Sequence, residues 1–370
     1  MSRVRLPSDR WLFGLTVCLV IGGLAILASA TGPTGFEKFQ DTFSFVRHQL
    51  LLGVLPGLTL LLIAWRLPAR MWERLATPFF FCVLALLVLV LLPGVHASFG
   101  TAKSWIDLGP FAFQPAEVMK IAWILFLAKW FALREGERLA DPREGLYPFL
   151  LWVGLLAVLL VLQPDLGTLS ILVAIAGGMY LTAGAPWKHV TALVVGSVVL
   201  LLLLIRLAPY RAERFMTFLH PELDPQGVGY HINQALLAIG SGGFFGLGFG
   251  HSRQKFEYLP EVAGDSVFAV MAEELGWVLT AGVLALLFVW VRSVLRAGIG
   301  CNRFSQLVCT GVAIWIGTQV CVNVGAMLGL LPLTGVPLPF ISYGGTAMVT
   351  QLFAFGIMLS LSRMRASGSR

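Results

Sequence analysis

Apolar residues recur along this chain in runs of about 20, the length a helix needs to cross the hydrocarbon core of a bilayer. Ten such runs can be placed, at about residues 11–31, 48–65, 76–94, 114–133, 147–163, 167–184, 188–206, 267–291, 306–330 and 343–362. The pattern predicts an all-α, polytopic integral membrane protein of about ten transmembrane helices. A membrane barrel would read as alternating segments of about ten residues, and the chain has none. The first run follows a basic start, "MSRVRLPSDRW", yet it is long enough to span, so it is read as a membrane helix rather than a cleaved signal. Two outward segments break the rhythm. "HASFGTAKSWIDLGPFAFQPAE" (96–117) reads as a loop with Trp105 and Phe111 suited to the membrane interface. Residues 207–266 form one large extracytoplasmic loop between the seventh and eighth runs. Loops of that length are functional or disordered. This one contains "YHINQALLAIGSGGFFGLGFG", apolar and glycine-rich, which predicts an ordered, partly membrane-embedded segment with close backbone packing or a re-entrant turn. Residues 1–370 read as a single membrane domain containing that loop, without internal repeats or a soluble second domain.

Composition agrees: 57% of residues are hydrophobic and 12% charged, against roughly a quarter charged in soluble domains. The net charge of +7 is read as topology. With the N-terminus inside, 17 of the 26 basic residues fall on cytoplasmic segments: Arg3, Arg5, Arg10, Arg66, Arg70, Arg74, Lys129, Arg134, Arg138, Arg143, Lys188, Arg292, Arg296, Arg303, Arg363, Arg365 and Arg370. The short outer loops hold Lys38, Arg47 and Lys103. The positive-inside rule therefore predicts that both termini are cytoplasmic. No basic stripe with interleaved aromatics is present, so nucleic acid is not an expected partner; membrane lipids are. Five scattered cysteines, without a CxxC, indicate neither a disulfide framework nor a metal site.

The motif search eliminates several chemistries. No GxxxxGK[ST] is present to cradle a nucleotide, no HExxH to bind zinc, and the glycines from Gly240 to Gly250 do not follow a strand in a βαβ unit. Ionisable residues at or within the membrane remain, and these cost about 2.5–3.5 kcal/mol each at mid-helix, so each is a functional candidate. Glu117 and Lys120 stand at i,i+3 and can pair on one face, either as a self-neutralising pair or as the lining of a polar cavity. Asp165, after a proline and before an apolar run, reads as a helix cap. Asp265 could cap the eighth run in the same way, although Phe268 stands where a capping box wants Glu or Gln. Glu273 and Glu274 lie roughly 12 Å deeper on that run. Arg211, Arg214, Arg253 and Lys255, in the long loop, suit either phosphate contacts or headgroup anchoring.

Several blocks resemble the SEDS family of FtsW, RodA and SpoVE proteins: "FQPAEVMKIA" (113–122), "QPDLGT" (163–168), "DPQGVGYHINQALLAIGSGGFFGLGFGHSRQKFEYLPE" (224–261), "FAVMAEELG" (268–276) and "PLTGVPLPFISYGGTAM" (332–348). They occur in order over nearly the whole chain, and "GHSRQKFEYLPE" is more similar to the division or sporulation branch than to RodA. The resemblance implies a peptidoglycan glycosyltransferase that polymerises lipid II, the undecaprenyl-pyrophosphate-linked disaccharide peptide, at the outer face of the cytoplasmic membrane, for septal synthesis in cell division. It implies Asp265 as the catalytic carboxylate, and Glu117, Lys120, Arg211, Arg214, Lys255, Ser342 and Tyr343 as substrate or cavity residues. It implies a class B penicillin-binding protein and other divisome proteins as partners. No cofactor or metal site is evident; a divalent cation accompanying the lipid pyrophosphate stays open. A RodA-type elongation polymerase, a lipid II flippase and a non-catalytic scaffold are the other readings. Two departures from the family pattern stand out: Gly264-Asp265-Ser266 where Thr-Asp-Phe is usual, and Ser104-Trp105 where Arg-Trp is usual.

Overall fold

The computed structural model describes residues 7–92, 96–99, 102–107, 109, 112–134, 136–207 and 216–363. Arg211, Arg214, Phe111 and the terminal arginines at 3, 5, 365 and 370 lie outside them. The long helices are α1 (Pro7–Phe39), α2 (Ser44–Arg66), α3 (Ala69–Leu89), α4 (Pro115–Ala132), α5 (Pro142–Leu162), α6 (Leu166–Thr182), α7 (Trp187–Leu207), α8 (Val228–Ser241), α9 (Val267–Gly298), α10 (Arg303–Met327) and α11 (Gly345–Ser362). Each of the ten expected runs falls on one of these helices, and α8 lies in the long loop. Among the described residues, seven helices are long and apolar enough to cross a membrane: α1 from Arg10, α2, α3, α5, α9, α10 and α11. Two of the other three expected spans fall short for a physical reason: Glu117, Lys120 and Lys129 make α4 too charged, and α6 has 17 residues. α7, with 21 residues, keeps the length of a span. This is a multi-pass membrane protein.

Despite these charges, α4 has almost all of its residues from Pro115 to Phe131 buried, as expected of a helix inside a bundle rather than at its rim. It packs on α3 and α10, α10 packs on α6 and α9, and α11 packs on α2. Aromatic rings tie the α3, α4 and α5 faces together: Phe80 stacks on Phe126 at 4.3 Å, and Trp152 meets Phe126 edge-on at 5.2 Å.

The segment expected as a loop at 96–117 is instead a three-stranded antiparallel meander, β1 (His96–Phe99), β2 (Ala102–Asp107) and β3 (Ala112–Phe113). Its period-two pattern puts Ser104 and Ile106 on one buried face, and it delivers the chain directly into α4.

The main departure from regular geometry lies in α9. At Gly276 the backbone leaves the helix (φ 71°, ψ 177°), so the groups on either side lose their intrahelical partners. The glycine-rich stretch supplies replacements: Leu247 and Gly248 N–H donate to the carbonyls of Glu273 and Glu274, and Trp277 and Val278 N–H donate to those of Gly243 and Phe244. A Cβ on Gly276 would collide with the backbone nitrogen of Gly246, which is why the approach needs glycine. The sequence expectation of close backbone packing by these glycines is met here as a loop locked into a broken membrane helix.

Candidate functional site

Asp265 lies in the turn leading into α9, one residue before Ser266 at the N-cap. Three elements hold this turn. Tyr343 N–H donates to Ala263 O at 2.8 Å. Asn323 Nδ2, on α10, donates to Asp265 O at 2.8 Å and to Val336 O at 2.9 Å. The Ser266 hydroxyl donates to Pro260 O at 2.7 Å, so it can only accept from His231 Nε2 of α8, 2.6 Å away. His231 therefore carries its proton on Nε2, and burial lowers its pKa.

The carboxylate itself is not a helix cap. No side chain caps α9, and Asp265 Oδ1 is closed off from solvent without accepting a hydrogen bond. Desolvation first, and then the charge of Glu261, push its pKa up to about 7; polar groups at Asp265 and Ser266 offset part of the rise. A carboxylate fixed through its main chain, unsatisfied at one oxygen and titrating near neutrality can accept a proton from a bound hydroxyl. Asp165, by contrast, caps α6 by accepting from Thr168 N–H at 2.9 Å.

Glu117 and Lys120 form a buried pair, 2.6 Å apart, on the first turns of α4. Lys120 also donates to Gln319 Oε1 on α10 at 3.4 Å, and Gln319 Nε2 donates to Pro337 O at 2.8 Å. Glu117 Oε2 is buried without a partner. The pair and the Asp265 turn thus meet successive carbonyls, Pro337 and Val336, through two residues of one face of α10.

Ser342 and Tyr343 stand at the start of α11. Ser342 Oγ accepts from Leu338 N–H at 2.8 Å, which folds the loop on itself. Tyr343 packs edge-on against Phe45 at 5.2 Å, and its hydroxyl bonds His48 Nδ1 at 2.7 Å; burial raises its pKa. The loop is fastened from below as well, since Phe340 N–H donates to Gln351 Oε1 at 2.9 Å.

Lys255, expected as a substrate or cavity residue, is instead buried in the protein. Its ammonium lies 2.8 Å from Glu274 Oε1 and 2.8 Å from Gly250 O, with Ser29 Oγ at 3.4 Å. Glu274 Oε2 also accepts from Ser29 at 2.6 Å, and Glu273 accepts from the Ser252 hydroxyl and from the N–H groups of Arg253 and Gln254. These two acids hold the glycine-rich loop on α9, which leaves no free donor on the lysine for an anion. Arg253 is exposed and contributes its backbone.

Sequence reasoning missed Gln319, Asn323, His231, Ser29 and Ser252. Gln319 and Asn323 carried a usable signal: two amides four residues apart inside the apolar run "GTQVCVNVG" share a helix face. The other three show no pattern of their own and are recruited by tertiary contacts. Among the described residues, no group of three or more His, Cys, Asp and Glu could hold a metal ion.

The family model of FtsW, RodA and SpoVE cell cycle proteins matches residues 9–367. The stage V sporulation protein E of Bacillus subtilis is 36% identical over 98% of this chain and 99% of its own. A probable peptidoglycan glycosyltransferase FtsW of Halorhodospira halophila is 38% identical over 97% of this chain and 92% of its own. Among solved structures, a peptidoglycan synthase complex that coordinates polymerization and crosslinking superposes with a TM-score of 0.80 at 32% identity, over 98% of this chain and 99% of that one. The Thermus thermophilus rod shape determining protein RodA does so with a TM-score of 0.71 at 30% identity, over 96% of each chain. With the motif blocks, the helix order and all three comparisons in agreement over nearly its full length, the chain belongs to the FtsW/RodA/SpoVE family of cell cycle proteins.

Proposed function

We propose that this protein is a peptidoglycan glycosyltransferase that polymerises lipid II, with Asp265 as the general base that takes the proton of the acceptor sugar hydroxyl. The single observation that carries the reading is the state of Asp265: main chain clamped by Asn323, one carboxylate oxygen buried without a partner, and a pKa near neutrality. A base at the end of a membrane bundle reaches a headgroup whose lipid tail stays in the bilayer. The departing pyrophosphate needs cations to stabilise it; Arg211 and Arg214, in the same long loop, have the right chemistry. Lys120, Ser342 and Tyr343 take a supporting part, in shaping the end of the bundle on which the donor rests.

The FtsW and SpoVE relatives support a place in division or sporulation septa. The basic bias supports cytoplasmic termini in the inner membrane with Asp265 facing outward. The synthase complex that matches this fold supports a partner that crosslinks the strands, a class B penicillin-binding protein, docked among divisome proteins. A lipid flippase is less well supported. Transporters bind substrate where paired, discontinuous helices expose free backbone groups, whereas the groups freed at Gly276 are already bonded to Gly243–Gly248.

Purified protein given lipid II tests the reading. Wild type is expected to form glycan polymer, and Asp265→Asn to lose it by about 10²–10⁴-fold with expression and partner binding intact. A variant that polymerises at near wild-type rate would falsify the base assignment. Translocation in vesicles without polymer from wild type would make the protein a transporter, and polymer made only by an added partner would make it a scaffold.

A further inference from the structure

We propose that Asn323 is a positioning residue for Asp265: by bonding the Asp265 and Val336 carbonyls with one amide, it fixes the base relative to the 332–344 loop. The inference rests on the reading of Asp265 as the base and adds a residue outside the turn. Asn323 is 1% exposed, in the last turns of the apolar α10, where an unsatisfied buried amide is costly. Its Nδ2 uses both protons, at 2.8 and 2.9 Å. Its Oδ1 remains buried and unpartnered, so the side chain is kept at some cost to satisfaction. A purely packing role would be met better by an apolar side chain such as leucine, which has the same branching and no polar atom to bury.

The geometry also shows what the amide accomplishes. Asp265 stands before α9 begins, so the helix ladder does not fix its backbone, and Oδ1 accepts no bond that would fix the carboxylate. The turn's outer anchors act on its neighbours: Tyr343 on Ala263, and His231 on Ser266. Among the described residues, the side-chain hydrogen bond that reaches Asp265's own carbonyl comes from Asn323. The same α10 face carries Gln319 one turn away, which bonds Pro337 O and accepts from Lys120. One rigid helix face therefore sets the spacing between the base, the loop and the Glu117–Lys120 pair.

The titratable groups that bear on this turn, directly or through Gln319, are Glu261 on its own segment, His231 on α8, Tyr343 before α11, and Glu117 and Lys120 on α4. Asn323 bonds backbone carbonyls rather than any of these side chains. Because burial is the main cause of the raised Asp265 pKa, a turn released from α10 gains water and the base titrates lower.

The test uses the full-length purified chain with lipid II, comparing wild type, Asn323→Leu, Asn323→Ala and Asp265→Asn, each checked for a cooperative melt in detergent. A folded Asn323 variant is expected to lose about 10- to 100-fold in kcat, with KM changed by less than about 3-fold. The acid limb of its pH–rate profile is expected to move down by about one unit. Loss of packing alone would not move that limb. If either Asn323 variant folds and keeps both kcat and the limb while Asp265→Asn is inactive, the positioning role is overturned and the base stands. If Asp265→Asn is itself active, the base reading fails first. Failure of both Asn323 variants to fold would assign Asn323 to the scaffold and overturn the proposal.

Discussion

Lys120 Nζ stands 2.6 Å from Glu117 Oε1, with side chains 1% and 5% exposed, so each charge is the other's main compensation for leaving water. Removing one partner of such a pair leaves an uncompensated buried charge and costs about 3–5 kcal/mol, whereas removing both costs much less. Glu117→Gln or Lys120→Met alone is therefore expected to lower the melting temperature in detergent more than the double change does. Simply additive costs in the double-mutant cycle would mean that the two residues do not share an interaction.

The Lys255–Glu274 pair, 2.8 Å apart and equally buried, acts on a different element. It fastens the loop after Phe249 to α9 beside the Gly276 break. Lys255→Met is expected to speed hydrogen exchange of the amides from Gly243 to Lys255, with amides in α4 and α11 unchanged. Uniform acceleration across the bundle would show global destabilisation instead of local release.

Gly276 offers a stricter case. Its φ of 71° is unfavourable for any side chain, and a Cβ would meet Gly246 N and, at 2.6 Å, Phe244 O, both backbone atoms that cannot swing aside. Gly276→Ala is expected to cost roughly 3 kcal/mol or more. Gly282, where a Cβ would have nothing within 4 Å, is the matched control: alanine there is expected to be neutral or mildly stabilising in the helix. Equal effects at both sites would remove the close-approach argument.

The helices were legible because a membrane imposes one strong rule, about 20 apolar residues per span, and because a cap such as Asp165 follows local rules that need no tertiary knowledge. The Glu117–Lys120 pairing was legible for the same reason, being set by helix spacing alone. The α9 break was not. "EELGWVL" has ordinary helical composition, and the deviation at Gly276 appears only when Gly243–Gly248 arrive from about 30 residues away. Lys255 shows the matching limit for charge: a basic residue in an outer loop reads as an anion ligand until its carboxylate partner is placed in space. Asp265 was legible as a candidate, but that it does not cap α9 depended on where its Oδ1 points, which no local pattern encodes.

Topology can be checked independently of chemistry. Reporter fusions after Arg70, Ala140, Ile299 and Arg370 are expected to report the cytoplasm, and one after Pro225 the outside. A cytoplasmic signal at Pro225 would place the Asp265 turn on the wrong side of the membrane for an external headgroup.

Asp265 gives the sharpest test, because its two readings differ in sign. A capping carboxylate stabilises the fold, so Asp265→Asn would be neutral or cost about 1 kcal/mol. A buried base does the opposite. Its pKa is raised from 3.8 to about 7, so the folded state holds its proton more tightly than the unfolded chain does. That contribution to stability is fully present below pH 3.8 and is lost as the pH rises through about 7. Asparagine carries no charge to desolvate, so Asp265→Asn is expected to raise the melting temperature above pH 7 and to leave it nearly unchanged at about pH 4. Activity runs the other way. The base must be ionised, so wild-type polymerisation of lipid II is expected to fall as the pH drops through about 7, tenfold per unit on the acid limb. Melting curves of both proteins across this range, beside the wild-type pH–rate profile, decide the matter. A variant less stable than wild type at every pH, or a rate that stays flat through neutrality, would return Asp265 to a structural role.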